Sequence, residues 1–481
     1  MNTKSVKKSI LLNVLRQLSM VIFPMISFPY ASRLLGSDAY GQFSFAQSIV
    51  SYFYVIGSLG TGVYEIREGA GLKNDPGQFK EFCSELFSIH AFAAIVMESA
   101  LLVLTALVPK LCSYSALIVV GSMAIPLSAI GMDWINQIQE DFLYLTVRQF
   151  VTQGLALAGL FLLVRAPEDV LLFSMLGLLG TYGGNLLNLF YDRRYVIVGL
   201  RRAQTWKKHI RPLMILLLTS VATTIYVSSD ITMLGFCLSD ASVGIYSFVS
   251  KVYNLVKLLI YAVIVGGMPR IAYLFHNQKN AYLEEAQRLF SAVCVILFPA
   301  AGGMAALHKP FITIIGGAQF ADGSGPLLIL SLALIPAIIG AWFANAILIL
   351  NHQEGECLKA TVVSAFINIL FNRMAIPLWG IQGAAMTTLI AETTGCLVKM
   401  HTASRYFKMR KSIEKEIISY MLGTLTVVVI CCAANDWFRS SVISLCAAVI
   451  ASAAAYAIIL WLFENPILCQ IFRCKKIKTE K

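Results

Sequence analysis

Ionisable side chains stand isolated inside long apolar sequence at Arg16, His90, Glu98, Asp230, Lys251, Lys257, Arg373 and Glu392. In hydrocarbon each costs roughly 2.5–3.5 kcal/mol on insertion scales, so each needs a partner or water. Guanidinium and ammonium groups in such places are the chemistry that holds phosphate, the first by a fork of hydrogen bonds and the second as a point charge. Cations outnumber acids among them, which describes a net-positive interior suited to a phosphorylated guest. Internal ion pairs, such as Asp230 with Lys251, are the alternative, and Arg16 is close enough to the end of its segment to snorkel. His90 and Glu98, about two helical turns apart, read as a gradient-coupling pair or as donors to a neighbouring helix.

A polar stripe accompanies these charges. Ser44, Gln47, Ser48, Ser51, Tyr54 and Ser58 recur at i, i+3, i+4, i+7, and so do Ser247, Ser250, Lys251, Asn254, Lys257 and Tyr261. Residues so spaced share one helix face. A polar face is costly against lipid, so it lines a cavity or a helix contact. Interhelical hydrogen bonding accounts for the serines but not for the two lysines. The expected ligand-facing set is therefore Arg16, Ser48, Ser51, Lys251, Asn254, Lys257 and Arg373. Asp230, His90, Glu98 and Glu392 are expected as coupling or charge-pair residues. No metal site and no cofactor are expected.

The elements that must position these residues are membrane spans. Fourteen apolar stretches lie near 10–30, 42–64, 83–107, 114–132, 146–164, 170–191 and 213–236, then 246–268, 289–307, 326–350, 360–378, 383–400, 417–434 and 442–462. Each is long enough for a helix to cross ~30 Å of hydrocarbon. Composition agrees, at 58% hydrophobic and 13% charged. The expected fold class is an all-α polytopic membrane protein of about fourteen transmembrane helices. The opening segment has basic residues and then apolar ones but no small-residue cleavage site, so it reads as an uncleaved first span.

The net charge of +12 follows topology rather than nucleic acid, for which no partner role is expected. With the N-terminus inside, most Lys and Arg fall on one side, including Lys4, Lys7, Lys8, Arg193, Arg194, Arg201, Arg202, Lys207, Lys208, Lys408 and the tail from Arg473. The other side carries Arg33, Lys110, Arg165, Lys309 and Arg439. That is the positive-inside asymmetry, with both termini cytoplasmic. The eleven cysteines show no CxxC spacing and no zinc-like partners, and read as packing residues. No P-loop, HExxH or GxSxG is present, and no connection is long enough for a soluble domain. An enzyme is therefore not expected, which leaves a transporter, channel or scaffold.

The chain also repeats itself. "YGQFSFAQSIVSYFY" from Tyr40 resembles "VGIYSFVSKVYNLVK" from Val243, and Gly41 and Gly244 each open a span after Ser37-Asp38-Ala39 and Ser239-Asp240-Ala241. A parallel repeat of about six spans is a transporter plan, with the substrate site between the halves.

At this point the residues resemble a family. "RQLSMVIFPMISFPYASRLLGSDAYGQFSFAQSIVSYF" with "GTGVYEIRE" resembles the opening of bacterial polysaccharide repeat-unit flippases. "DWINQIQEDFLYLTVR" (Asp133 to Arg148) is similar to their loop between spans four and five, although Ile138 stands where many relatives have Gly. "SSDITMLGFCLSDASVGIYSFVSKV" from Ser228 and "NILFNRMAIPLWGIQGAAMTTLIAE" from Asn368 are similar to spans seven and eight and spans eleven and twelve. The resemblance implies the multidrug/oligosaccharidyl-lipid/polysaccharide exporter superfamily, with two six-helix bundles around a central cavity and two extra C-terminal helices. The expected domains are then a first bundle at 1–195, a basic linker at 196–212, a second bundle at 213–405, and two further spans with a basic tail at 406–481. The implied cargo is an undecaprenyl-pyrophosphate-linked oligosaccharide, carried across a bacterial inner membrane by a monomer beside a polysaccharide polymerase and chain-length machinery. A multidrug antiporter and a flippase for a lipid-linked peptidoglycan precursor are the competing expectations.

Overall fold

In hydrocarbon every backbone N–H and C=O must be paired within its own segment, so long apolar runs become helices. The computed structural model describes residues 3–60, 62–201, 203–407, 412–437, 442–463 and 465, and it contains no strand among them. In chain order the helices are α1 (Thr3–Gly57), α2 (Gly62–Leu72), α3 (Pro76–Leu107), α4 (Pro109–Cys112), α5 (Ser115–Ser122), α6 (Ala124–Gly131), α7 (Asp133–Ile138), α8 (Phe142–Leu163) and α9 (Val170–Tyr191). Then come α10 (Lys207–Cys237), α11 (Asp240–Asn277), α12 (Lys279–Ala306), α13 (His308–Gly316), α14 (Ser324–Trp342), α15 (Glu354–Ala403), α16 (Ser412–Trp437) and α17 (Val442–Leu462). The basic residues Arg202, Lys408, Arg410, Lys411 and Arg439 and the tail from 466 lie outside the described residues.

Twelve candidate spans meet the length and hydropathy that a membrane demands among the described residues. Two of them are double. Gly36 inside α1 has φ 76°, and Gly380 inside α15 has φ 58°, a region open chiefly to glycine. Contacts show that the chain reverses at both. Thr146 donates to the Leu12 carbonyl and Tyr30 to that of Phe161, so the first half of α1 runs alongside α8. Phe43 then meets Phe173 and Tyr54 meets Tyr182, so the second half runs with α9, the returning helix of the α8–α9 hairpin. In α15, Thr387 donates to Asn372 at 2.5 Å, and Gly395 packs on Ser364. Counting each doubled helix as two passes gives the fourteen read from sequence.

By their contacts the residues form two units, Met1–Gly244 and Ile245–Lys481. In the first, α10 packs along α1: Ser51 bonds Ser228 at 3.2 Å, Thr232 bonds Ser48 at 3.0 Å, and Phe236 meets Phe45 edge-on. The seventh span thus joins the first unit, whereas the sequence reading grouped it with residues up to 405. In the second unit Trp342 is fully buried against Phe290 and Phe407, α14 packs on both α15 and α12, α12 packs on α16, and α16 packs on α17. Large apolar side chains such as Ile95, Leu162, Phe190, Phe366 and Ile450 are exposed, as they are when lipid is the solvent.

The repeat glycines mark a close approach. A Cβ on Gly41 would stand 1.8 Å from the Asp240 carbonyl oxygen, and one on Gly244 would stand 1.9 Å from that of Ser37. Ser37 and Asp240 occupy equivalent places in the repeat, so the contact is reciprocal. Outside the spans, α3 starts conventionally: Asp75 accepts from the N–H groups of Gln78 and Gly77, which hold its carboxylate below the ordinary range, and Pro76 follows.

Candidate functional site

The site begins with a broken helix. The fourth span is interrupted at Met132, which sits in the left-handed region at φ 39°, ψ 34°. A non-glycine residue there costs on the order of 1–2 kcal/mol, and the surroundings stabilise it. Asn185 donates to the Leu127 carbonyl at 3.0 Å, and the Asn188 amide donates to that of Gly131. Both amides come from α9, so a neighbouring helix satisfies the carbonyls around the break, as irregular backbone in a membrane requires.

The break presents Asp133. Arg148 on α8 grips this carboxylate with two parallel hydrogen bonds, Nη1 to Oδ1 at 2.8 Å and Nη2 to Oδ2 at 2.9 Å. Asn188 donates to the same Oδ1 at 2.8 Å and accepts from Arg148 Nη1 at 2.5 Å. Gly184 makes room for the guanidinium, since a Cβ there would lie 2.8 Å from Arg148 Nε. Arg16, from the first half of α1, approaches Asp133 at 3.7 Å. Two buried guanidiniums therefore share one carboxylate. The Nε atoms of Arg16 and Arg148 are buried and make no hydrogen bond among the described residues. A second buried carboxylate, Asp192, is held by Asn136 at 2.7 Å, and no ion pair within 4 Å joins it to either arginine.

A cavity of about 410 Å³ opens over this cluster, wholly within the first unit. Arg148, Asp133, Gln137, Gln149, Asn185 and Thr181 contribute its polar wall, and Tyr54, Tyr182 and Trp134 contribute aromatic surface. His90 and Glu65 also line it, paired at 3.2 Å. Chemically the wall offers a cationic floor for an anion, amides and hydroxyls for sugar hydroxyls, and ring faces for apolar sugar surface. No group of three or more His, Cys, Asp or Glu is placed to hold a metal among the described residues.

The residues singled out from sequence fall into separate places. Arg16 is buried at the cation cluster and His90 lines the cavity. Glu98 does not meet His90; it accepts from Ser122 at 2.7 Å. Ser48 and Ser51 bond carbonyls of their own helix and the hydroxyls of α10, the interhelical role, while Tyr54 and Ser58 further along the same stripe reach the cavity. Asp230 is buried on α10. In the second unit Lys257 pairs with Glu392 at 2.6 Å, and Tyr253 donates to the same oxygen at 3.2 Å. Lys251 and Asn254 are exposed on α11, and Arg373 is exposed on α15.

Sequence reasoning missed Asp133, Arg148, Asn188 and Glu65. Arg148 lies two residues inside the stretch read as 146–164, close enough to its end to pass for a flanking charge. Its bond to Asp133 joins two helices, so no spacing announces it. One signal was visible: Thr181, Asn185 and Asn188 lie at i, i+4, i+7 on α9 and make a polar stripe.

Similarity to known proteins follows the same lines. A protein of Escherichia coli named "Putative O-antigen transporter" is 20% identical over 430 residues, covering 82% of this chain and 95% of its own. A Haloferax volcanii protein named "Probable low-salt glycan biosynthesis flippase" is 23% identical over 193 residues, 40% of this chain and 41% of that protein. The solved structure "Lipid II flippase MurJ, inward closed conformation" superposes with a TM-score of 0.77 at 15% identity, covering 95% of this chain and 100% of that one, so the fold is shared. Residues 6–275, more than half of the 481, match the profile described as "Polysaccharide biosynthesis protein". The chain belongs to the polysaccharide biosynthesis protein family.

Proposed function

We propose that this protein is a flippase for lipid-linked glycans: it moves undecaprenyl-pyrophosphate-linked oligosaccharide repeat units from the inner to the outer leaflet of a bacterial cytoplasmic membrane. The exported product is O-antigen, capsule or exopolysaccharide. The physical problem is to carry a hydrophilic head across ~30 Å of hydrocarbon while its lipid tail stays in the bilayer. The observation that carries the reading is the cavity of the first unit, where Arg148 and Asp133 stand beneath a wall of amides, hydroxyls and rings and Arg16 lies buried 3.7 Å from the same carboxylate. Alternating access delivers the head, and both termini are cytoplasmic. The names of the relatives point the same way: they are transporters and flippases, and the chain is a transporter and not an enzyme. An antiporter of cationic drugs is disfavoured by the same cation-rich floor.

The direct test is reconstitution. Proteoliposomes holding the protein should move a fluorescent undecaprenyl-diphosphate-linked oligosaccharide between leaflets faster than empty vesicles. Vesicles that expel ethidium but leave the glycolipid in place would transfer the chain to the antiporter reading. The sidedness has its own check, because a cysteine replacing Lys207 should label only from the cytoplasm and one replacing Asp240 only from outside.

A further inference from the structure

Within the cation cluster the carboxylate is the most accessible member. The side chain of Asp133 is 31% exposed, whereas those of Arg16 and Arg148 are 7% and 3% exposed. A molecule entering the cavity therefore meets the carboxylate before it meets the guanidiniums. Asp133 also occupies the very fork that an anionic ligand needs, since carboxylate and phosphate present paired oxygens to arginine in the same geometry.

We propose that Asp133 is an internal competitor for the cargo: its carboxylate holds Arg148 and Arg16 in register and is displaced by the diphosphate of the entering glycolipid, then returns to expel it. The proposal rests on the glycolipid reading above. Three features support an exchange over a fixed clasp. Two cations face one carboxylate, so a group carrying more charge and more acceptor oxygens outcompetes it. Asp133 follows directly on Met132, at the strained break between two helical pieces, so a change of torsion at one residue moves the carboxylate without unwinding a helix. Asn188 bonds both Asp133 and Arg148, so it keeps hold of the guanidinium after the carboxylate leaves.

The exchange has a kinetic purpose. A transporter that bound its cargo through two uncontested arginines would hold it too tightly to let go. An internal anion lowers affinity in both access states and raises turnover, because the bound diphosphate always has a rival within reach. It also selects, since a neutral lipid gains nothing from displacing a carboxylate.

The experiment uses the full chain in lipid nanodiscs, with farnesyl diphosphate as the probe and farnesyl monophosphate for comparison. Asp133→Asn should bind farnesyl diphosphate about tenfold more tightly than the unaltered protein, the scale of one charge-assisted hydrogen bond, while exporting less glycan in cells. Asp133→Glu should keep affinity and export near the starting values. Arg148→Gln should weaken binding with or without the change at 133. If Asp133→Asn does not survive purification, farnesyl diphosphate added during extraction should restore its yield, because the ligand then supplies the missing anion; no restoration would count against the exchange. Unchanged or weaker binding by Asp133→Asn, with Arg148→Gln still weakening it, would leave the glycolipid reading standing and overturn the internal competitor. Failure of every form, the unaltered protein included, to bind the diphosphate would overturn both.

Discussion

In the first unit Arg16 and Arg148 lean on a single carboxylate, whereas in the second Lys257 and Glu392 are matched one to one at 2.6 Å with the Tyr253 hydroxyl completing the acid's bonds. The two arrangements have the same raw material, cations near carboxylates within apolar helices, and different electrostatic sums. A matched pair satisfies itself and leaves little for a ligand, so its contribution is to hold helices together. An unmatched pair keeps an appetite for one more anion. Buried charge in a membrane is therefore not a functional signal by itself; its surplus over local partners is.

The largest test of that contrast is Arg148→Gln. It leaves Asp133 with Arg16 at a loose 3.7 Å and removes a two-pronged buried bond, which should cost about 3 kcal/mol or more and abolish glycan export. Thermal unfolding in detergent and surface polysaccharide staining would measure both. Adding Asp133→Asn should not restore export, because the ligand's fork is gone either way. Next comes the second unit, where the opposite is expected. Lys257→Met and Glu392→Gln should each destabilise by about 1–3 kcal/mol by stranding a partner, and the double change should recover most of the loss and most of the export. No recovery in that double mutant would mean that Lys257 serves the cargo and would erase the contrast.

A smaller structural effect is expected at Lys251, which is exposed on α11. Lys251→Ala should alter stability by no more than about 0.5 kcal/mol, so any fall in export with normal protein levels would report contact with the cargo. The smallest effect is expected at Glu98. It accepts from Ser122 and is not among the cavity-lining residues, whereas His90 pairs with Glu65 on the cavity wall. Glu98→Gln should leave the pH profile of transport unchanged, and a flattened profile would return the coupling role to the spacing of His90 and Glu98 along α3.

The helices were legible because hydropathy is local, and even the two reversals were foreshadowed by Gly36 and Gly380, since apolar runs lie on both sides of each. The break in the fourth span was not, because Met132 carries no sign of a left-handed backbone; α9 imposes it through Asn185 and Asn188. The same reason separates the charges found from those missed. Arg16 stands out in any apolar window, whereas Arg148 and Asp133 acquire meaning only when α8, α9 and the broken span are brought together. The serine stripe was visible as a face, but not that its upper half would meet α10 and its lower half would open on the cavity.

The reciprocal approach of Gly41 and Gly244 carries a genetic consequence. Each glycine faces the backbone carbonyl of the residue four positions before the other glycine. An alanine at either position therefore collides with main chain, which cannot be trimmed by mutation, and the opposite glycine is already the smallest residue there is. Suppressors of Gly41→Ala should never arise at Gly244, nor the reverse; revertants should be true reversions. The two copies of this short motif thus share a position where neither is free to drift.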